Sequence, residues 1–352
     1  VKLFKLRIKS LSLEQWQSVG GNFINQMKDI LVSFLSAKLV LEGNLTLGMM
    51  LSVQYIIGQL NSPIEQLLNF MQQFQDAKIS LERLNEIQQM DDEEPTDKLF
   101  IREMPSDRSI ALDNVSFTYP GAGNEPVLSN ISFNIPEGKT TAIVGMSGSG
   151  KTTILKLLLR FYETQKGDIK VGKNNLNQIS YQFWRMHCGT VMQDGFIFSD
   201  TIARNIAVGD EYPDLEKLSH AIKIANIGEF IDGLPLGLNT KIGSEGNGIS
   251  QGQKQRLLIA RAVYKNPPFL FFDEATNALD SNNEKVIMEN LNTFFKGRTV
   301  VVVAHRLSTV KNADHIIVLD KGRILEQGSH AELTHKKGEY FELVKNQLEL
   351  AN

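Results

Sequence analysis

The sequence has a single cysteine, Cys188. That excludes a disulfide framework and a thiolate metal site, and leaves a small buried apolar residue as the simplest role for the thiol. An excess of basic charge is also missing. Lys and Arg number 37 against 40 Asp and Glu, for a net charge of −3, which argues against nucleic acid as a partner. The 42% hydrophobic content separates the chain from disordered proteins. There is no initiator Met before Val1 and no signal peptide, so the sequence reads as an excerpt of something longer. Its 352 residues admit two or three domains.

A clean apolar run of about 20 residues is lacking as well. Val19–Leu41 is broken by Lys28, Asp29 and Lys38. After the turn Glu42-Gly43-Asn44, the run Leu45–Leu60 carries further polar residues. Cationic residues precede the first run (Lys2, Lys5, Arg7, Lys9) and follow the second (Lys78, Arg83), while the turn holds only Glu42. This is the positive-inside pattern of a membrane hairpin with both ends cytosolic and Asn44 outside. Polar residues are tolerated where helices line a wet pathway. The alternative is a soluble helical hairpin. Residues 61–88 read as a polar helix with a kink at Pro63. The acidic stretch Asp91-Asp92-Glu93-Glu94-Pro95 then opens a linker, read as 91–107. Residues 1–90 and 108–352 become the two domains.

From Gly145 to Thr153 the sequence reads G-M-S-G-S-G-K-T-T, which fits the phosphate-binding loop G-x-x-x-x-G-K-[ST]. A β-branched run, Thr140–Val144, precedes it, and Ile154–Phe161 reads as a helix after it. Backbone N–H groups of Gly145, Ser147, Gly148, Ser149 and Gly150 are placed to wrap phosphates at a helix start. Lys151 would reach the β- and γ-phosphates, the Thr152 hydroxyl would ligate Mg²⁺, and Thr153 completes the motif. The loop binds ATP or GTP.

Other apolar strands also end in polar residues. Val191-Met192 leads to Gln193, Phe269–Phe272 to Asp273-Glu274, and Val300–Ala304 to His305. Ligands of open α/β sheets bind at that edge. Asp273 fits the second Mg²⁺ element, and Glu274 is placed to polarise an attacking water. His305 reads either as a structural histidine or as a γ-phosphate contact. Ser250 resembles an N-cap whose helix start reads either as a plain capped helix or as a second anion site. Two copies would then complete each other's nucleotide sites. Upstream, Ile110–Tyr119 and Val127–Ile135 read as an antiparallel strand layer.

From about residue 110 these motifs together resemble the ATP-binding-cassette (ABC) transporters. The resemblance implies an α/β P-loop ATPase domain with a parallel core sheet, an antiparallel β layer and an α-helical subdomain, preceded by a helical transmembrane hairpin. It implies ATP and Mg²⁺ as cofactors and ATP hydrolysis coupled to transmembrane export. Tyr119 is similar to the aromatic that stacks on adenine, and Gln193 to the residue that senses Mg²⁺ and contacts the membrane part. Ile249–Gln253 resembles the L-S-G-G-Q signature, with Ser250, Gly252 and Gln253 kept as contacts to the partner's ATP. Asp280 is similar to the loop crossing the dimer interface, and His305 to the switch histidine. More narrowly, Gly246–Arg256 and Phe271–Asp280 resemble bacterial peptidase-containing transporters for double-glycine peptides. That implies a homodimer in the inner (cytoplasmic) membrane, a peptide or protein cargo and a periplasmic adaptor. A lipid or drug exporter and a soluble cassette ATPase are the competing readings. A catalytically dead cassette is disfavoured, because Lys151, Asp273, Glu274 and His305 are all present.

Overall fold

The computed structural model describes residues 2–88, 90, 92–121, 123–243, 246, 248–304 and 310–350. The chain divides into two compact units, 1–92 and 93–352.

The first unit is a pair of long helices, α1 (Lys2–Leu41) and α2 (Leu47–Gln88). Gly43 ends α1 with a positive φ of 76°, the left-handed conformation that costs glycine least. The helix α2 runs through Pro63 to Gln88. The membrane hairpin expected from sequence is not found. Among the described residues, no helix is long and apolar enough to cross a membrane. The reason lies in the polar residues that interrupt both runs. Lys28 donates to Asn61 Oδ1 at 2.6 Å, and Gln54 donates to the Ser33 hydroxyl at 3.2 Å. These bonds form a polar seam between α1 and α2. The expected inner-membrane location and the placement of Asn44 outside rested on that hairpin, and both are withdrawn with it.

The second unit opens on a segment held by side chains. Arg185 donates two bonds to the Glu93 carboxylate at 2.7 and 2.8 Å. Glu94 accepts from the Gln182 backbone and the Ser180 hydroxyl. An antiparallel sheet follows, in the order β2-β1-β4-β5. Its strands are β1 (Ile110–Phe117), β2 (Leu128–Ile135), β4 (Lys166–Val171) and the short β5 (Asn174–Asn175).

The larger sheet has six strands in the order β12-β11-β3-β10-β9-β6. They are β3 (Thr140–Gly145), β6 (Cys188–Val191), β9 (Phe269–Asp273), β10 (Thr299–Val303), β11 (His315–Asp320) and β12 (Arg323–Gly328). All pairings are parallel except that of β12 with β11. Both faces are covered, which is why β9 up to Asp273 and β10 after Thr299 are continuously apolar rather than alternating. Phe269, Phe271, Val301 and Val303 enter one core, shared with the smaller sheet and with helix α3 (Lys151–Leu158). Leu270, Phe272, Val300 and Val302 enter the other, under helices α8 (Gln251–Lys265) and α9 (Ser281–Phe295). Each such side chain contributes roughly 1.5–3 kcal/mol by burial.

A helical excursion lies between β6 and β9. It contains α5 (Ile202–Ile206), α6 (Leu215–Ile224) and α7 (Gly228–Asp232), while α4 (Tyr181–Met186) precedes β6. The two-residue strands β7 (Asp200–Thr201) and β8 (Lys241–Ile242) close its base. Two helices, His330–Lys336 and Glu339–Leu350, end the chain.

Candidate nucleotide site

The parallel register brings several strand ends to one edge. Ile143 lies beside Val303, Val303 beside Asp273, and Phe272 beside Val191. Whatever follows these strands must emerge side by side. The phosphate loop follows β3, Asp273 ends β9 with Glu274 next to it, and Gln193 follows β6 by two residues. The strand before Gln193 ends at Val191, earlier than its apolar run suggests. His305, after β10, lies outside the described residues.

The loop's backbone depends on glycine at two places. A Cβ on Gly145 would sit 2.0 Å from the Leu319 carbonyl oxygen, so any larger residue displaces the sheet. Gly150 caps α3 with φ 102°, and a Cβ there would meet Leu128 at 2.6 Å. Gly148 is also left-handed, with φ 79°. Ser147 and Gly148 are exposed, while Ser149 and Gly150 are buried. Lys151 is buried, and its ammonium donates to the carbonyls of Gly145 and Met146 at 3.0 and 2.8 Å. Burial pushes its pKa down, and the carboxylates of Glu274 and Asp273 push it back up.

Asp273 is 1% exposed, and neither of its carboxylate oxygens has a hydrogen-bond partner of good geometry. Burial raises its pKa, opposed by the Thr152 hydroxyl and by Lys151. A buried carboxylate without partners is costly unless something supplies positive charge. Mg²⁺ fits. It takes hard oxygen ligands and commonly uses one or two protein groups together with substrate phosphates. Asp273 and Thr152 would hold it here, and among the described residues no cluster of three or more acidic, His or Cys groups offers an all-protein cage.

Glu274 adopts a left-handed conformation with φ 50°, unusual outside glycine and typical of functional positions. Its N–H donates to the Val303 carbonyl at 3.0 Å, its carbonyl accepts from Gln255 Nε2 at 2.9 Å and from the Asn277 N–H at 3.2 Å, and its carboxylate accepts from Asn277 Nδ2. Sequence reasoning missed Gln255 and Asn277. Gln255 had a signal: it is a polar residue in register with buried Ile259 and Ala262 on an otherwise apolar helix face.

The start of α8 is a capping box. The Ser250 hydroxyl accepts from the Gln253 N–H at 3.2 Å, and the Gln253 side chain accepts from the Ser250 N–H at 2.8 Å. Ser250 therefore caps as its position suggested, and the Gln253 side-chain oxygen is engaged with it. Gly252 sits where a Cβ would lie 3.1 Å from the Ala278 carbonyl. Asp280 caps α9 by accepting from Asn283, whose side-chain and backbone donors lower its pKa.

Tyr119 packs edge-on against Phe117 and Tyr162, with centroids 5.0 and 5.2 Å away. Its hydroxyl lies 3.1 Å from that of Thr153, which brings the ring up against the phosphate loop. If the ring stacks on adenine, Tyr119→Ala will weaken ATP binding by about 5- to 150-fold, the worth of one stacked base at ~1–3 kcal/mol. Tyr119→Phe should stay within about threefold, since stacking uses the ring face. Titration of MgATP into each variant reads the difference, and equal affinity for Tyr119→Ala removes this residue from the nucleotide site.

A phosphate loop, a buried carboxylate at another strand end of the same sheet and a glutamate after it make up a P-loop ATPase site. The chain binds and hydrolyses ATP with Mg²⁺. The ABC transporter family model matches residues 128–277. Over 315 residues the chain is 41% identical to the toxin RTX-I translocation ATP-binding protein of Actinobacillus pleuropneumoniae, and 42% identical to the alpha-hemolysin translocation ATP-binding protein HlyB of Proteus vulgaris. Each match covers 89% of this chain and 44% of the relative, so the chain spans under half the length of these proteins. A solved bacterial Atm1-family ABC exporter with ATP bound superposes with a TM-score of 0.72 at 34% identity, covering 94% of this chain and 58% of that one. The narrower resemblance to peptidase-containing exporters of double-glycine peptides is overturned by relatives named for toxin translocation. Of its two motifs, Phe271–Asp280 carries the strand end with Asp273.

Proposed function

We infer that the chain is the ATP-hydrolysing part of a translocation machine whose cargo is a polypeptide, and that two copies share each ATP. The observation that carries this is the single sheet edge holding Lys151, Thr152, Asp273 and Glu274, on a chain whose relatives are named for toxin translocation. In this reading water adds to the γ-phosphorus as the β–γ bridging P–O bond breaks, and Glu274 takes the proton from the water. Lys151 and the loop N–H groups hold the phosphates, and Thr152 and Asp273 would hold Mg²⁺, whose charge would offset that of the leaving ADP. Tyr119 holds the base. The first turn of α8, with Ser250, Gly252 and the Gln253 amide nitrogen, covers the partner's γ-phosphate. Asp280 lies at the copy-to-copy contact, and Gln193 answers the metal. His305 keeps its sequence-based role as a γ-phosphate contact.

A second reading, a cassette ATPase not coupled to export, is favoured by the lack of any membrane-crossing helix among the described residues. Complementation tests the shared site. Gly252→Asp spoils only the covering helix and Lys151→Ala only the phosphate loop, so each variant alone should be nearly inactive. Mixed, they form one intact composite site per heterodimer, and ATPase activity should return to about a tenth or more of wild type. A mixture as inactive as its components refutes sharing. Polypeptide cargo predicts that an unfolded protein, rather than lipid vesicles, accelerates the wild-type chain. No response to either favours the uncoupled ATPase.

A further inference from the structure

Gln255 lies on the second turn of α8, one turn beyond the capping box, and is 8% exposed. A glutamine buried on a helix is costly unless both ends of its amide are used. Here both are. Its Nε2 donates to the Glu274 carbonyl at 2.9 Å, and its Oε1 accepts from the Ala278 N–H at 3.1 Å. These two backbone groups flank the turn that leaves β9, beyond the reach of the sheet ladder. The turn also contains the left-handed Glu274, a conformation that persists only where surroundings over-determine it. The Val303 carbonyl fixes the Glu274 N–H from the sheet side, the Asn277 N–H holds the Glu274 carbonyl from within the turn, and Gln255 holds it from the helix side.

We propose that Gln255 is a positioning residue for ATP hydrolysis, clamping the Glu274–Ala278 turn so that the Glu274 carboxylate is aimed at the attacking water. This rests on the role given to Glu274 above. It adds a mechanical consequence. The helix that starts at Ser250 and covers one ATP is bonded, through Gln255, to the turn that works on the other. Movement of α8 is thereby transmitted to the Glu274 backbone of the same chain.

The test uses Gln255→Met, which keeps length and volume but removes both bonds, and Gln255→Glu, which keeps only the acceptor. Both are made in the full chain. The expected result is a kcat lower by roughly 10- to 100-fold, the cost of a catalytic group misplaced by about an ångström. MgATP affinity should stay near wild type, because the phosphate loop is untouched, while the thermal midpoint falls modestly with the lost hydrogen bonds. Glu274→Gln is measured alongside, and the double variant should be no slower than Glu274→Gln alone, since both changes act on one step. Wild-type kcat in Gln255→Met overturns the proposal, and so does a loss that multiplies with that of Glu274→Gln. Loss of MgATP binding in both Gln255 variants also overturns it, by marking a structural role. Should Gln255→Met fail to fold, Gln255→Glu is judged by the same outcomes. A wild-type rate in Glu274→Gln refutes the role of Glu274 instead, whatever Gln255 does.

Discussion

Glu274→Gln is expected to lower the ATPase rate by roughly 10²- to 10⁴-fold, equivalent to about 3–5 kcal/mol of barrier. The amide keeps the size of the side chain and can still accept from Asn277, which holds the carboxylate in the wild-type chain. The backbone is equally undisturbed, because its anchors at Val303 and Gln255 use main-chain atoms. What is lost is the negative charge that takes a proton. MgATP affinity should therefore change by less than about threefold, since Lys151, Thr152 and Asp273 remain. If two copies close over two ATP, slow turnover should also trap them together, visible as an ATP-dependent dimer by light scattering. Lys151→Ala should show no such dimer, because its phosphate contact is lost first. A Glu274→Gln chain that hydrolyses at the wild-type rate would exclude this carboxylate from the chemistry.

Asp273→Asn should abolish Mg²⁺-dependent turnover and yet stabilise the fold. The carboxylate is buried, has no hydrogen-bond partner of good geometry, and has its pKa raised chiefly by burial. The folded protein then binds this proton more tightly than the unfolded chain, whose Asp titrates near 3.9. Between the two pKa values stability falls as pH rises, and above the folded value the whole cost of the buried charge is present. At neutral pH without Mg²⁺ the wild-type chain bears that cost. An asparagine does not. Removal of an unpartnered buried charge is worth roughly 1–3 kcal/mol, or about 2–10 °C in Tm for a unit of this size. Added MgATP should narrow the gap by stabilising only the wild-type chain. A variant that melts lower than wild type in Mg²⁺-free buffer would refute the unpaired-charge account.

The nucleotide site was legible in sequence where local spacing dictates local geometry. The phosphate loop, the apolar strands before Asp273 and His305, and the Ser250 N-cap all declare themselves within a dozen residues. The covered sheet explains why β9 and β10 could be read as buried on both faces. The helical hairpin was legible as helices and a turn, but its environment was not. Lys28 meets Asn61, 33 residues away, and a sliding window of hydrophobicity cannot register that partnership. Family resemblance then carried the reading to a membrane that the helices do not support. Gln255 was missed for a related reason. Its partners, Glu274 and Ala278, come from a different segment, and only the fold brings them together.

The order of the six-stranded sheet also sets a timetable. The phosphate-loop strand β3 lies between β10 and β11, and neither of its neighbours is made until about 150 residues after it. At a synthesis rate of roughly 5–20 residues per second, β3 waits on the order of 8–30 s for its first sheet partner. During that interval an apolar strand with two open edges is present in the nascent chain. The smaller antiparallel sheet can begin much sooner, since β1 and β2 are consecutive. Protection of β3 by that sheet and by α3 would therefore precede any ability to bind nucleotide. ATP becomes a ligand of the growing polypeptide only after the C-terminal strands have emerged.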